Sequence, residues 1–170
     1  ESYTPEKWFG TLLGVFTYLL YFMPLLAGTI VDRYGFKKSL LVCFTIFCVG
    51  YSLLGLAGMA YGEQIVAVFG KLTYVSLVLL LTAMGGSLIK PCIVGTVART
   101  TTPDTKSLGY SIYYMLVNIG GAIGPLLAVP VRENFGIEYV LLVSAGISFL
   151  NILGTLIFYR EPPRPADAPP

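Results

Sequence analysis

The sequence contains five long stretches that carry almost no charge, and this feature limits most strongly what the chain can fold into. They cover residues 8–31, 39–60, 72–98, 108–131 and 139–159, and only Lys90 interrupts one of them. Each exceeds the roughly 20 residues that an α-helix needs to cross about 30 Å of hydrocarbon. Membrane strands alternate in polarity over about ten residues, and these stretches do not. The sequence therefore predicts an all-α membrane protein with five transmembrane helices.

The composition agrees with a membrane protein and excludes several other classes. Of the 170 residues, 55% are hydrophobic and 12% are charged, whereas soluble domains carry about 25% charged residues. The net charge of +2 and the lack of a long basic cluster exclude a nucleic-acid partner. There is no histidine, and the three cysteines lie in apolar runs without metal or redox spacing. We expect no cofactor, no metal site and no enzymatic activity.

The connections between the apolar runs predict the orientation in the membrane. One side holds the first and third connections and the C-terminal tail, with seven basic residues: Arg33, Lys37, Lys38, Arg99, Lys106, Arg160 and Arg164. The other side holds three: Lys7, Lys71 and Arg132. By the positive-inside rule, the richer side is cytoplasmic in a plasma or inner membrane. Residue 1 is therefore expected outside, and residue 170 in the cytoplasm. An odd number of spans that starts outside also suggests a missing first helix.

Two segments are expected within this organisation. Residues 1–160 should form the multi-pass transmembrane bundle, and the proline-rich residues 161–170 should form a cytoplasmic linker. The lipid bilayer is thus the first expected partner of the chain.

Lys90 is the single charged residue predicted at membrane depth. A lysine at the centre of a membrane helix costs about 2.5 to 3.5 kcal/mol on insertion scales. Snorkelling is one explanation, but Arg99 marks the helix end about 13 Å away, which is farther than the lysine stem reaches. No acidic residue of the chain lies at that depth, so we expect Lys90 to face a cavity, an anionic ligand or an acid outside this chain. Pro91 frees the Ser87 carbonyl and should make the helix irregular there.

A polar stripe marks the fourth span. Tyr110, Tyr114 and Asn118 recur every four residues and therefore share one helix face. Asn118 needs a hydrogen-bond partner in the bilayer, and either a neighbouring helix or a ligand would supply it. On the first span, Tyr18 and Tyr21 offer hydroxyl groups to the same cavity, although interfacial tyrosines are common.

The connection GTIVDRYGFKK (residues 28–38) carries the most specific motif. From the residues alone, we expect Asp32 to lie at the positive N-terminal end of a neighbouring helix, and a glycine to allow a tight turn. The spacing resembles the loop signature of the major facilitator superfamily. The matching residues are Gly28, Asp32, Arg33, Gly35 and Lys37. Phe36 stands where the family prefers arginine.

The resemblance implies that the five spans are helices two to six of a six-helix N-terminal half-bundle of a major facilitator fold. It also implies a conformational role, in which Asp32 and Arg33 lock two half-bundles together on the cytoplasmic side. The missing first helix and a C-terminal half-bundle would then be the protein partners of this chain.

Two further stretches resemble one branch, the proton-dependent oligopeptide transporters. They are SLIKPCIVG and YSIYYMLVNIGGAIGP (residues 87–95 and 110–125). The resemblance implies proton-coupled uptake of di- and tripeptides by alternating access. The resemblance also implies that Lys90 pairs with a first-helix carboxylate or with the peptide C-terminus. The candidate substrate-binding residues are Lys90, Asn118, Tyr21 and Tyr114. The branch's Glu-x-x-Glu-Arg coupling motif is not in this sequence. Proton coupling is therefore implied only by the resemblance to that branch.

Three alternatives stay open. Gly120-x-x-x-Gly124-Pro125 also resembles a signature of drug/proton antiporters. Lys90 favours an anionic or zwitterionic substrate over a cationic drug, so an organic-anion carrier is a second alternative. A non-transporting membrane module is the third, and an intact intramembrane lysine argues against it, because such a costly charge is easily lost without function.

Overall fold

The computed structural model describes residues 5–59 and 62–163, and within them the regular structure is entirely helical. Seven helices follow one another: α1 (Pro5–Tyr34), α2 (Phe36–Ala57), α3 (Glu63–Phe69), α4 (Lys71–Ser87), α5 (Ile89–Thr100), α6 (Lys106–Phe135) and α7 (Ile137–Phe158). The predicted all-α membrane fold is confirmed.

Four segments of the described chain are long and apolar enough to cross a membrane. They are Phe36–Ala57, Lys71–Thr100, Lys106–Phe135 and Ile137–Phe158. The first apolar run of the sequence lies within α1, which is 30 residues long. α1 and α6 extend a few residues beyond the charge-free runs, and their last turns include the basic residues Arg33 and Arg132.

The third span consists of two helices rather than one. α4 ends at Ser87 and α5 begins at Ile89, with Leu88 between them. Pro91 has no N–H to offer the Ser87 carbonyl, so the regular hydrogen-bond ladder stops there. The Leu88 N–H donates to the Gly85 carbonyl three residues back, at 3.1 Å, as in a tightened turn. The irregularity predicted from Pro91 is confirmed.

Helix α2 is the centre of the packing. It contacts α1, α3, α4, α5 and α7, whereas α6 contacts only α5 and α7 among the described helices. The buried core lies between α1, α2 and the α4–α5 junction, and it consists of Ala27, Val31, Phe36, Leu40, Cys43, Leu88 and Cys92. No residue of α6 is buried. The core therefore lies towards the end of the bundle that carries the 28–38 motif.

Candidate functional site

The turn between α1 and α2 is a single residue, Gly35. Its φ of +88° is a conformation that side chains other than glycine rarely adopt. Its N–H donates to the Val31 carbonyl at 2.8 Å, which closes the last turn of α1. A Cβ atom on Gly35 would lie 3.0 Å from Oε1 of Glu161. The backbone conformation therefore favours glycine at this position, and a larger residue would also displace the Glu161 carboxylate slightly.

Glu161 binds the first residues of α2. Its Oε1 accepts the Phe36 N–H and its Oε2 accepts the Lys37 N–H, each at 2.6 Å. A carboxylate is favourable there because the first N–H groups of a helix lack intrahelical partners and carry partial positive charge. The Lys37 ammonium in turn donates to the Leu156 carbonyl at 3.1 Å, near the end of α7. Two kinds of contact therefore join the start of α2 to the end of α7 and the segment after it: Glu161 accepts N–H groups of α2, and Lys37 of α2 donates to α7.

This arrangement corrects one expectation from the sequence. The carboxylate at the N-terminus of α2 belongs to Glu161, so the assignment of that role to Asp32 is wrong. Two residues of the predicted linker contact the bundle, since Glu161 binds α2 and Pro162 is buried, and the linker itself stays a prediction. Residues 164–170 lie outside the described residues.

Asp32 pairs with Arg99 near the C-terminus of α5. Arg99 Nη2 lies 3.6 Å from Asp32 Oδ1, and the two side chains are 17% and 73% exposed. The guanidinium carbon of Arg99 also lies 4.4 Å from the ring centroid of Phe36, which is a cation–π distance. Since the Asp32 carboxylate is largely open to water, the ion pair contributes little, and the packing of Arg99 on Phe36 helps to hold the guanidinium in place.

Phe36 explains the departure from the superfamily signature. Its ring is 3% exposed and forms part of the buried core. On α5, Gly95 allows the ring to approach the helix backbone, because a Cβ there would lie 2.5 Å from the ring Cζ. An arginine at position 36 would place a second positive charge in a core site directly beside Arg99.

We call Asp32, Phe36, Arg99 and Glu161 the helix-end cluster. It joins α1, α2, α5 and the segment after α7. A further contact at the same end connects Thr96 of α5 and Tyr159, whose hydroxyl oxygens lie 2.6 Å apart.

The predicted gating residues divide into two groups. Asp32, Gly35 and Lys37 take part in the contacts just described. Gly28 is half-buried, but a Cβ there would meet nothing within 4 Å among the described residues. Arg33 is exposed, with its guanidinium carbon 5.9 Å from the Tyr34 ring centroid. Sequence reasoning missed Arg99 and Glu161: Arg99 served only as a boundary marker, and Glu161 as part of a linker.

Lys90 lies on the first turn of α5, two residues beyond the break at Leu88. Its side chain is exposed. No hydrogen bond or ion pair joins it to any residue that the structure describes. Asp32 and Glu161, the acidic residues whose ion pair and hydrogen bonds were described above, both lie in the helix-end cluster.

The other predicted substrate residues are not brought into contact with Lys90. Asn118 and Tyr114 are exposed on α6, and the Tyr114 ring packs against Tyr113 with centroids 5.0 Å apart. The side chain of Tyr21 lies outside the described residues. The four residues therefore remain predictions as a binding site.

A separate cleft of about 460 Å³ lies between α2, α5 and α7. Apolar residues form most of its wall, and Thr96, Asn151, Thr155 and Tyr159 add polar groups. Lys90, Asn118 and Tyr114 do not line it. Within residues 5–59 and 62–163, no group of three side chains is arranged to hold a metal ion.

Comparison with known proteins identifies the class to which this fold belongs. The family model described as Major Facilitator Superfamily matches residues 5–170, and the chain belongs to that superfamily. It is thus part of a multi-pass membrane transporter family.

Individual relatives are distant and varied. The uncharacterized MFS-type transporter YhhS of Salmonella typhimurium is 24% identical over 95% of this chain and 37% of its own length. Multidrug resistance protein MdtG of Klebsiella pneumoniae is 29% identical over 84% of this chain and 32% of that protein. Solute carrier family 15 member 2 of Danio rerio is 26% identical over 87% of this chain and 22% of that protein. The chain spans about a third or less of the length of these relatives. No solved structure matches the chain significantly.

Proposed function

We propose that the full-length protein is a proton-coupled carrier of small peptides that works by alternating access. The observation that carries this proposal is Lys90, which is exposed in an apolar span, beside a helix break, without a partner among the described residues. A charged side chain at that depth is costly unless it faces water or an opposite charge. The C-terminal carboxylate of a peptide substrate would supply the negative charge that pairs with Lys90.

The helix break at Leu88 supports a site at this level. Irregular backbone within a membrane is tolerated where it lines a cavity or is buried in protein. Discontinuous helices are also where many secondary transporters bind their substrates. In our proposal, Lys90 binds the substrate carboxylate, while Asn118, Tyr114 and Tyr21 hydrogen-bond the peptide backbone.

The helix-end cluster has a mechanical role in the proposal. It holds the ends of α1, α2, α5 and α7 together, so that these helices move as one body when the cavity opens and closes. Arg33, together with the largely exposed carboxylate of Asp32, contacts the other half of the transporter on the cytoplasmic side. In this orientation residue 1 lies outside and residue 170 lies in the cytoplasm.

Uptake by the full-length protein tests the proposal. The protein is reconstituted in vesicles, an inward proton gradient is imposed, and a labelled dipeptide is followed. We expect uptake that collapses with a protonophore and falls at least tenfold in Lys90→Ala. Lys71→Ala is the matched control, because Lys71 is an exposed lysine at the first residue of the same span, away from its interior. Absence of gradient-driven uptake, or equal uptake in the two variants, would contradict the proposal.

A drug/proton antiporter is the second candidate. The relatedness to MdtG and the Gly120-x-x-x-Gly124-Pro125 spacing favour it. The same vesicles, loaded for counter-transport of a cationic dye, distinguish the two: dye movement without dipeptide uptake supports the antiporter. Movement of neither supports a non-transporting module.

A further inference from the structure

The connection between α2 and α4 contains a short helix where the sequence predicts only a loop. α3 has seven residues, Glu63–Phe69, and lies between Gly62 and Gly70. At Gly62 the chain folds back against the end of α2 so closely that a Cβ would overlap the Leu56 carbonyl oxygen. At the other end Gly70 has a φ of +77°, which turns the chain sharply into α4. The two glycines fix the direction of α3 relative to the spans on either side.

One face of α3 is apolar and uncovered. Val68 is 80% exposed and Ile65 is 56% exposed, and residues three apart lie on the same helix face. Val66 is half-buried, while Glu63 and Gln64 are exposed. Glu63 precedes Val68 by five residues and lies on the opposite side of the helix, whereas Gln64 precedes Val68 by one turn and lies at the edge of the apolar face. The helix therefore has an apolar face directed away from the protein and a charged residue on the other side.

The position of α3 is constrained by its neighbours. Seven residues of helix span about 10 Å, which is too short to cross hydrocarbon. The helix is tied by short segments to α2 and α4, and both belong to membrane spans. It therefore cannot move far from the membrane edge. Leu72 in the first turn of α4 is also 54% exposed, so α3 adjoins apolar surface of a span.

We propose that α3 lies flat in the membrane interface, on the side opposite Asp32, with lipid as the partner of its apolar face. Ile65 and Val68 face the boundary between headgroups and acyl chains, and Glu63 on the opposite side of the helix faces water. An amphipathic segment in this position removes its apolar face from water without crossing the bilayer. This role is independent of which substrate the protein carries.

Spin labels on the full-length protein test the placement. Cys43, Cys48, Cys92 and any further cysteine of the full-length protein are replaced by alanine, a nitroxide is attached at Val68→Cys or Glu63→Cys, and the protein is reconstituted in phosphatidylcholine–phosphatidylglycerol vesicles. We expect the label at position 68 to collide severalfold more with oxygen than with a water-soluble nickel chelate, and the label at 63 to show the reverse. Equal exposure of both labels to the chelate would overturn the proposal. Shielding of position 68 from both reagents would overturn it too, because another protein segment would then cover α3.

A second measurement keeps the native cysteines. In a background in which Trp8 and any further tryptophan of the full-length protein are replaced by phenylalanine, Val68→Trp supplies a single tryptophan on the apolar face. We expect strong quenching by lipids brominated near the carbonyl end of their acyl chains, and weak quenching by iodide. Glu63→Trp in the same background, on the opposite side of α3, is the control and should show the opposite order. Strong iodide quenching at position 68 would contradict a lipid-facing α3.

Discussion

The carboxylate of Glu161 accepts the N–H of Phe36 at 2.6 Å, although 125 residues separate the two in sequence. This bond and its companion to the Lys37 N–H join the segment after α7 to the first turn of α2. A negative charge at the start of a helix balances the partial positive charge of the free N–H groups. The start of α2 and the segment after α7 are therefore coupled electrostatically as well as by packing.

Glu161→Gln is expected to destabilise the protein. The amide keeps the shape of the side chain but loses the charge and replaces one acceptor by an NH₂ group. Because hydrogen bonds to charged groups contribute about 1.5 to 3 kcal/mol and this site is partly exposed, we expect a loss of about 1 to 2 kcal/mol. Denaturant titration of the full-length protein in detergent measures it. Glu133→Gln, at an exposed acid of α6, is the control and should leave stability unchanged.

Gly35→Ala tests the turn between α1 and α2. The left-handed conformation costs a non-glycine residue about 1 to 2 kcal/mol, and the new Cβ would also press on Glu161. We expect a loss of at least about 1 kcal/mol in the same titration. Gly146→Ala on α7 is the matched control, since a Cβ there meets nothing within 4 Å. That control should be neutral or slightly stabilising. Equal effects of the two substitutions would contradict the strain argument.

Gly95→Ala is expected to press on the Phe36 ring. Overpacking of a core costs about 1 to 3 kcal/mol. Phe36→Leu removes the ring and leaves space for the new methyl group. The double variant should therefore be more stable than the sum of the two single effects predicts, because residues in contact are not additive. Additivity would show that the ring and Gly95 do not share this space.

Asp32→Asn separates stability from transport. The Asp32 carboxylate is mostly exposed, and exposed ion pairs contribute at most about 1 kcal/mol. We expect unfolding to change by less than this amount, while dipeptide uptake falls clearly if Asp32 contacts the other half of the transporter. Asp104→Asn, in the connection before α6, controls for loss of a surface charge. A large loss of stability in Asp32→Asn would indicate a structural role instead.

The positions of the long helices follow from the sequence because hydrocarbon tolerates few charges, and the charge-free runs mark where the chain crosses it. The break near Leu88 follows as well, since Pro91 removes a backbone donor. The helix-end cluster could not be predicted from the sequence, because Glu161 and Phe36 come into contact only through the packing of α7 on α2. Arg99 looked like an ordinary boundary residue for a related reason: its contacts lie on α1 and α2. The sequence did not predict α3, because seven residues are too few to establish a helical period.

The break at Leu88 divides the third span into two parts with different neighbours. The lower part, α5, is a rigid rod of 12 residues with Lys90 near one end and Arg99 near the other. A rotation of α5 about Leu88 would displace Arg99 several times farther than Lys90, because Arg99 is eleven residues from that point and Lys90 is two. If Lys90 binds substrate as proposed, the opening of the helix-end cluster and a change in the direction of Lys90 would be one motion.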